Sequence, residues 1–228
     1  MKQGKLYGVS VGPGDPSLMT LKAASRIRQC GVLAAPRTAD GSSLALKIAE
    51  GAVDTSEKQI EYLDFLMTRD PDKLAKSHEA AANRVAVHLD AGRDVAVLSL
   101  GDASLYSSYS YLCRILLARG YDAETIPGVT SFCACAAALN RSLTDMHTPL
   151  HIFPASMPDL SSALALHGGK VLMKSGRALP EIKRLLREQG LAERSIFVTD
   201  CGLPTQRIGL NIDDSTDESY FTTILIAP

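Results

Sequence analysis

Short apolar runs alternate with amphipathic stretches along most of the chain. Residues 6–11, LYGVSV, and 95–100, VAVLSL, are apolar runs of strand length, and 32–35 is a shorter one ending at Pro36-Arg37. Unbroken apolar runs suit strands buried on both faces, as in a parallel sheet. Between them the spacing predicts helices over 17–29, over 42–50 and from Pro71 to a stop at Gly92. Gly31 supplies the stop for the first. The third opens at Asp70-Pro71, a capping carboxylate before a proline at the first helical position. Its apolar side carries Leu74, Ala81, Val85, His88 and Leu89. A helix reaching Arg119 and a strand over 123–126 follow. Repeated strand–helix units of this size predict a mostly parallel sheet covered on both faces.

The rhythm changes after Pro127-Gly128. Helices are predicted over 129–139, 159–166 and 179–189, with strands over 151–153, 170–174, 195–199 and 221–227. The expected fold class is therefore α/β, with two α/β domains at 1–127 and 128–228. The active site is expected in the cleft between them, a common position for small-molecule sites.

Residues 94–112, DVAVLSLGDASLYSSYSYL, carry the strongest local signal. A buried strand runs into Gly101-Asp102 and then into crowded Ser and Tyr residues. Ligands of open α/β sheets bind beyond the carboxyl ends of the strands. A glycine there lets backbone approach a ligand, and hydroxyls add donors and acceptors without formal charge. Gly8, Gly12 and Gly14 do not extend this to nucleotides. A dinucleotide fingerprint needs Gly-x-Gly-x-x-Gly, whereas Ser17 follows Gly12-x-Gly14 here, and no Gly-Lys-Ser/Thr of a P-loop is present. The loop reads as a tight turn.

Composition narrows the partners. The 228 residues include 24 Lys plus Arg against 25 Asp plus Glu, so no basic excess points to nucleic acid or a membrane surface. No apolar run reaches the roughly 18 residues of a spanning helix. The N-terminus turns to Gly and Pro before a signal-peptide core forms, so a cytoplasmic location is expected. The five cysteines make no Cys-x-x-Cys pair and read as small packing residues in a reduced compartment. His147 and His151 are separated by Pro149, which breaks the helix that would align them, and no protein-bound metal is expected.

Three motifs in order carry a family resemblance. LYGVSVGPGDPSLMTLKAA at 6–24, LSLGDASLY at 98–106 and IPGVTSF at 126–132 resemble the three signatures of the tetrapyrrole (corrin/porphyrin) methyltransferases. That family uses S-adenosylmethionine and has the two-domain alternation derived above. FLMTRD at 65–70, LYSSYSYL at 105–112 and PGVTSFCACAAALNR at 127–141 resemble the branch that methylates C-20 of precorrin-2 or cobalt-factor II in cobalamin biosynthesis. Ala103 and Leu66 depart from the pattern, each standing where proline is usual. Neither change removes a functional side chain.

The resemblance implies a cofactor site, residue by residue. Gly101, Asp102, Ala103 and Leu105 would meet the methionine and ribose portion, Thr130 and Ser131 would supply hydroxyls, and Met173 would pack on the adenosine. Pro36 would line the cofactor cleft. Cys201, Gly202, Thr222 and Thr223 mark two further contact regions. The chemistry implied is displacement at a methyl carbon, dominated by alignment and exclusion of water. If a general base exists, Asp15, Tyr7, Tyr106 and Tyr109 are the candidates, although Asp15 can equally cap the turn or the following helix. Arg37, Arg69 and Lys174 are the candidates for substrate carboxylates.

A homodimer is implied by the family alone. Rival readings are a methylase for another corrin position or for uroporphyrinogen III, a non-catalytic tetrapyrrole-binding module of the same fold, and a diphthamide-forming protein methylase. The residues leave open whether the substrate already holds cobalt.

Overall fold

A computed structural model describes residues 2–68, 70–215 and 219–228. The chain divides into two compact units, Met1–Thr130 and Ser131–Pro228. Each has its own five-stranded sheet.

In the first unit, β1 (Leu6–Ser10), β2 (Val32–Arg37), β3 (Gln59–Asp64), β4 (Val95–Ser99) and β5 (Ala123–Ile126) are all parallel, in the order β3-β2-β4-β1-β5. The central β1 and β4 are buried at every position, which is why they read as unbroken apolar runs. Alternate residues then serve opposite faces. Leu6, Val32, Val95 and Val97 pack with Val85 and Leu89 of α3 (Pro71–Asp90) and Leu112 and Leu116 of α4 (Tyr109–Ala118). Val9, Leu33, Ala96 and Leu98 pack on the other face with Ile27 of α1 (Leu21–Gln29) and Ile48 of α2 (Leu44–Ala52). Asp70 caps α3 as expected, its carboxylate accepting from the N–H groups of Asp72 and Lys73.

Two local expectations change. The helix expected over 17–29 is broken: Asp15 caps a single 3₁₀ turn at Pro16–Leu18, and Thr20 then caps α1 by accepting from Ala23 N–H at 3.1 Å. Strand β3 was not expected, because QIEYLD lacks an apolar run. It is an edge strand whose carboxylates are bonded to neighbouring side chains, Glu61 to the Arg84 guanidinium and the His88 ring, and Asp64 to the Arg37 guanidinium.

The second unit comprises α5 (Ser131–Ala138), β6 (Leu150–Pro154), α6 (Leu160–Leu164), β7 (Gly169–Met173), α7 (Leu179–Glu188), β8 (Ser195–Thr199), β9 (Arg207–Gly209) and β10 (Thr222–Ile226). Its order is β6-β7-β10-β8-β9, with β6 and β7 parallel and every other pairing antiparallel. The short β9 gives no periodic signal. Because β10 runs against both neighbours, its first residue, Thr222, lies opposite Thr199 at the end of β8. No helix among the described residues is long and apolar enough to cross a membrane.

The position of the α1 cap is testable by urea denaturation. Thr20→Ala is expected to cost about 1 kcal/mol, whereas Ser17→Ala, at the expected but unrealised helix start, costs less than about 0.5 kcal/mol.

Candidate active site

Parallel strands gather their following loops at one end of the first sheet. Beyond β1 and β4 the pairing extends through Val11 N–H to Ser99 C=O at 2.9 Å. It ends in an antiparallel bridge between Gly12 and Gly101, whose N–H and C=O groups bond reciprocally at 3.2 and 2.7 Å. Both glycines have left-handed backbone, φ +80 and +69, which L side chains adopt only under strain.

Asp102 holds this loop to the one after β5. One carboxylate oxygen accepts from Gly128 N–H at 2.7 Å, and the other accepts from the Ser104 N–H and hydroxyl. Burial works to raise its pKa, but the hydrogen bonds from the Ser104 hydroxyl and from Gly128 and Ser104 N–H outweigh it and hold the carboxyl below the ordinary range. Ala103 is buried, and its N–H donates to Ser10 Oγ at 2.8 Å. Leu105 N–H donates to Asp102 C=O at 3.2 Å. The structure thus brings Gly101, Asp102, Ala103 and Leu105 together with the Gly12 and Gly128 turns.

The serines of the hydroxyl-rich segment build the loop. Ser99 and Ser107 hydroxyls bond each other at 2.6 Å, Ser107 Oγ accepts from Tyr109 N–H, and Ser110 Oγ donates to Ser107 C=O. Thr130 differs. Its hydroxyl is buried and has no hydrogen-bond partner among the described residues, so it does not cap α5, which begins at Ser131.

In the second unit, Met173 ends β7, Thr222 and Thr223 open β10, and Cys201-Gly202 follow β8. Ser175 N–H donates to Thr222 C=O, and Thr222 and Thr199 hydroxyls bond each other at 2.9 Å. These five candidates therefore share one end of that sheet. Asp200, in left-handed backbone at φ +53, accepts from the Thr205 and Ser219 hydroxyls. Cys135 of α5 hydrogen-bonds Cys201, and that bond together with burial holds the Cys135 thiol well above its ordinary range.

The proton-transfer candidates separate. Tyr109 is buried under the sheet against Gly8, and burial pushes its phenol well above the ordinary range. Tyr7 sits within β1, its ring 4.0 Å from the Arg26 guanidinium carbon, away from the loops. Asp15 accepts from Ser17, and that bonding holds its carboxyl below the ordinary range, which suits the capping role. Tyr106 stands on the loop beyond β4, 42% exposed and in left-handed backbone at φ +47.

Among the substrate candidates, Arg37 follows Pro36 at the end of β2 and forks onto Asp64 at 2.7 and 3.0 Å. Lys174 follows Met173 in left-handed backbone with its ammonium 5.4 Å from the Tyr220 ring centroid. Arg69 lies outside the described residues. No group of three or more His, Cys, Asp or Glu suited to a metal occurs among the described residues. Sequence reasoning placed Ser10 and Gly128 inside the first and third motifs but did not name them as site residues. The available signal for Ser10 was a hydroxyl closing an otherwise apolar strand.

Comparison with known proteins bears on this geometry. The sequence profile of the Tetrapyrrole (Corrin/Porphyrin) Methylases matches residues 5–212. The chain belongs to that family. This methylase is 33% identical to a precorrin-2 C(20)-methyltransferase of Sinorhizobium, over 98% of this chain and 95% of that protein. It is 33% identical to a cobalt-precorrin-2 C(20)-methyltransferase of Salmonella typhimurium, over 98% and 96%. Its fold matches the solved cobalt precorrin-4 methyltransferase with a TM-score of 0.77 at 21% identity, covering 98% of this chain and 94% of that one. It also matches the uroporphyrin-III C-methyl transferase of Thermus thermophilus complexed with S-adenosyl homocysteine, with a TM-score of 0.71 at 22% identity, covering 98% and 92%.

The methylase's loop tie has a pH signature. A carboxyl with a lower pKa folded than unfolded stabilises the fold above the unfolded value, and that contribution is lost as pH falls through the folded one. Asp102→Asn is expected to destabilise the first unit near neutral pH, with the gap from wild type narrowing below about pH 4. Urea denaturation at neutral and acid pH measures this, and a gap independent of pH contradicts it.

Proposed function

We propose that this methylase transfers a methyl group from S-adenosylmethionine to C-20 of precorrin-2 or its cobalt-loaded counterpart in cobalamin biosynthesis. The observation that carries the reading is near-full-length identity to two C(20)-methyltransferases. The family likeness supports a homodimer, and five cysteines without a Cys-x-x-Cys pair fit the reduced compartment of a cytoplasmic location.

The residues fit the cofactor. The buried, unpartnered Thr130 hydroxyl is a polar group in need of a ligand. The bridged Gly12 and Gly101 bring the two loop backbones together with no side chain between them. On this reading Gly101, Ala103, Leu105, Thr130 and Ser131 hold the cofactor from the first-unit loops and the start of α5. Pro36 is a further candidate in the first unit, and Met173, Cys201, Gly202, Thr222 and Thr223 are the candidates that the family likeness gives in the second.

When bound, S-adenosylmethionine supplies an electrophilic methyl group on a sulfonium that needs no further activation. The protein's work is then to align the two reactants and keep water out. Asp102 serves by holding two loops in register, its carboxylate ionised and occupied. Tyr106 is the remaining group on the loop that can take up or relay a substrate proton. Asp15, with its lowered pKa, is poorly matched to a base at neutral pH and holds the turn. Arg37 and Lys174 are the candidates among the described residues for substrate carboxylates, with Arg37 exchanging Asp64 for the substrate; Arg69 is a third candidate on sequence alone.

The site of transfer is testable with carbon-13-labelled cofactor. Product NMR and mass spectrometry are expected to show one new methyl at C-20, and a methyl at any other position overturns the assignment. Separately, Thr130→Val removes the orphaned hydroxyl at constant shape. It is expected to leave thermal stability unchanged or raised while weakening S-adenosylhomocysteine binding about three- to tenfold in calorimetry.

A further inference from the structure

Ser10 ends β1 and is fully buried. Its hydroxyl accepts from Ala103 N–H at 2.8 Å and donates to Ile126 C=O at 2.7 Å. One side chain therefore ties the end of β1 to the loop beyond β4 and to the end of β5. It also sets the approach of the Pro127-Gly128 turn. A Cβ on Gly128 would lie 2.4 Å from Ser10 Cβ and 2.7 Å from the Gly101 carbonyl oxygen. Asp102 bonds the same glycine through its N–H at 2.7 Å. Three loops thus meet at one buried hydroxyl that the sequence motifs do not single out.

We propose that Ser10 is a positioning residue for methyl transfer. It holds the Gly101–Ala103 backbone and the turn leading to Thr130 in the arrangement that receives S-adenosylmethionine, without itself touching the cofactor. The hydroxyl's one proton and one of its lone pairs are committed to backbone, and the side chain is fully buried, so it is not directed to a ligand. Without it, Ala103 N–H and Ile126 C=O lose their partner in a dry environment, and the loop relaxes toward other partners or water. A relaxed loop must be reordered by each incoming cofactor, and binding weakens by that ordering cost. The effect falls first on cofactor affinity, since Ala103 is a proposed cofactor contact, whereas Arg37 and Lys174, proposed for the substrate, hang on other strand ends.

The inference rests on the cofactor reading above, and the test separates the two. S-Adenosylhomocysteine is titrated calorimetrically into the wild-type protein, Ser10→Ala and Ser10→Cys, and steady-state kinetics are run on all three. Wild type is expected to bind. Ser10→Ala is expected to bind about tenfold more weakly, with KM for S-adenosylmethionine raised to match and the tetrapyrrole KM within about twofold. Ser10→Cys keeps the side-chain connectivity with a slightly larger atom that is a weaker donor and acceptor, and it is expected to fall between the two. If Ser10→Ala does not fold, Ser10→Cys decides. A folded variant with wild-type cofactor affinity, even at a lower melting temperature, makes Ser10 a residue of stability alone and overturns the proposal. A wild-type protein that does not bind overturns the cofactor reading itself.

Discussion

The first unit depends on one tie, the hydrogen bond from Gly128 N–H to the Asp102 carboxylate, backed by the buried Ser10 hydroxyl. A parallel sheet delivers its loops to the same end but does nothing to connect them. Here the loops beyond β1, β4 and β5 are joined by a carboxylate, a hydroxyl and a pair of bridged glycines, all with short contacts. A charged acceptor makes a stronger bond to backbone N–H than a neutral one. The arrangement is preorganised, so a ligand bound there meets backbone that need not be ordered on arrival.

The tie also explains why the loop is so rich in small polar residues. Ser104 bonds the Asp102 carboxylate, Ser99 and Ser107 bond each other across the strand end, and Ser110 bonds back to the Ser107 carbonyl. Each hydroxyl replaces a water or a backbone partner that an irregular segment would otherwise lack. The hydroxyls that looked like ligand donors are mostly committed to the loop itself. Thr130 is the exception, and its unpartnered hydroxyl is the most direct sign of a ligand in the first unit.

The second unit reaches a comparable result by another route. Its sheet is mostly antiparallel, so the start of β10 meets the ends of β7 and β8. Met173, Thr222 and Cys201 come together although they are distant in sequence. The buried Thr199–Thr222 pair and the Cys135–Cys201 contact seal the layer beneath them. Left-handed backbone at Lys174 and Asp200 turns the chain sharply at two of these strand ends.

The sequence by itself determined the α/β class, the central strands and most helices, because burial on both faces or on one stripe leaves a periodic mark in residue type. It also carried the three family motifs, and with them Gly101, Asp102 and Thr130. Tertiary structure decided what those residues do. Edge strand β3 was hidden because QIEYLD intersperses charged residues among Ile60, Tyr62 and Leu63, which leaves no apolar run. The start of α1 was misplaced because Thr20 and Ser17 are chemically similar caps and only the backbone path chooses between them. Tyr109 resembled its neighbours in the motif, yet helical phase turns it into the core while Tyr106 stays on the loop. Ser10 lies inside the first motif but was not marked as a site residue, since its importance arises from two partners 93 and 116 residues away. A hydrogen bond between distant loops depends on where the sheet brings their ends, and a linear pattern of residue types does not contain that position.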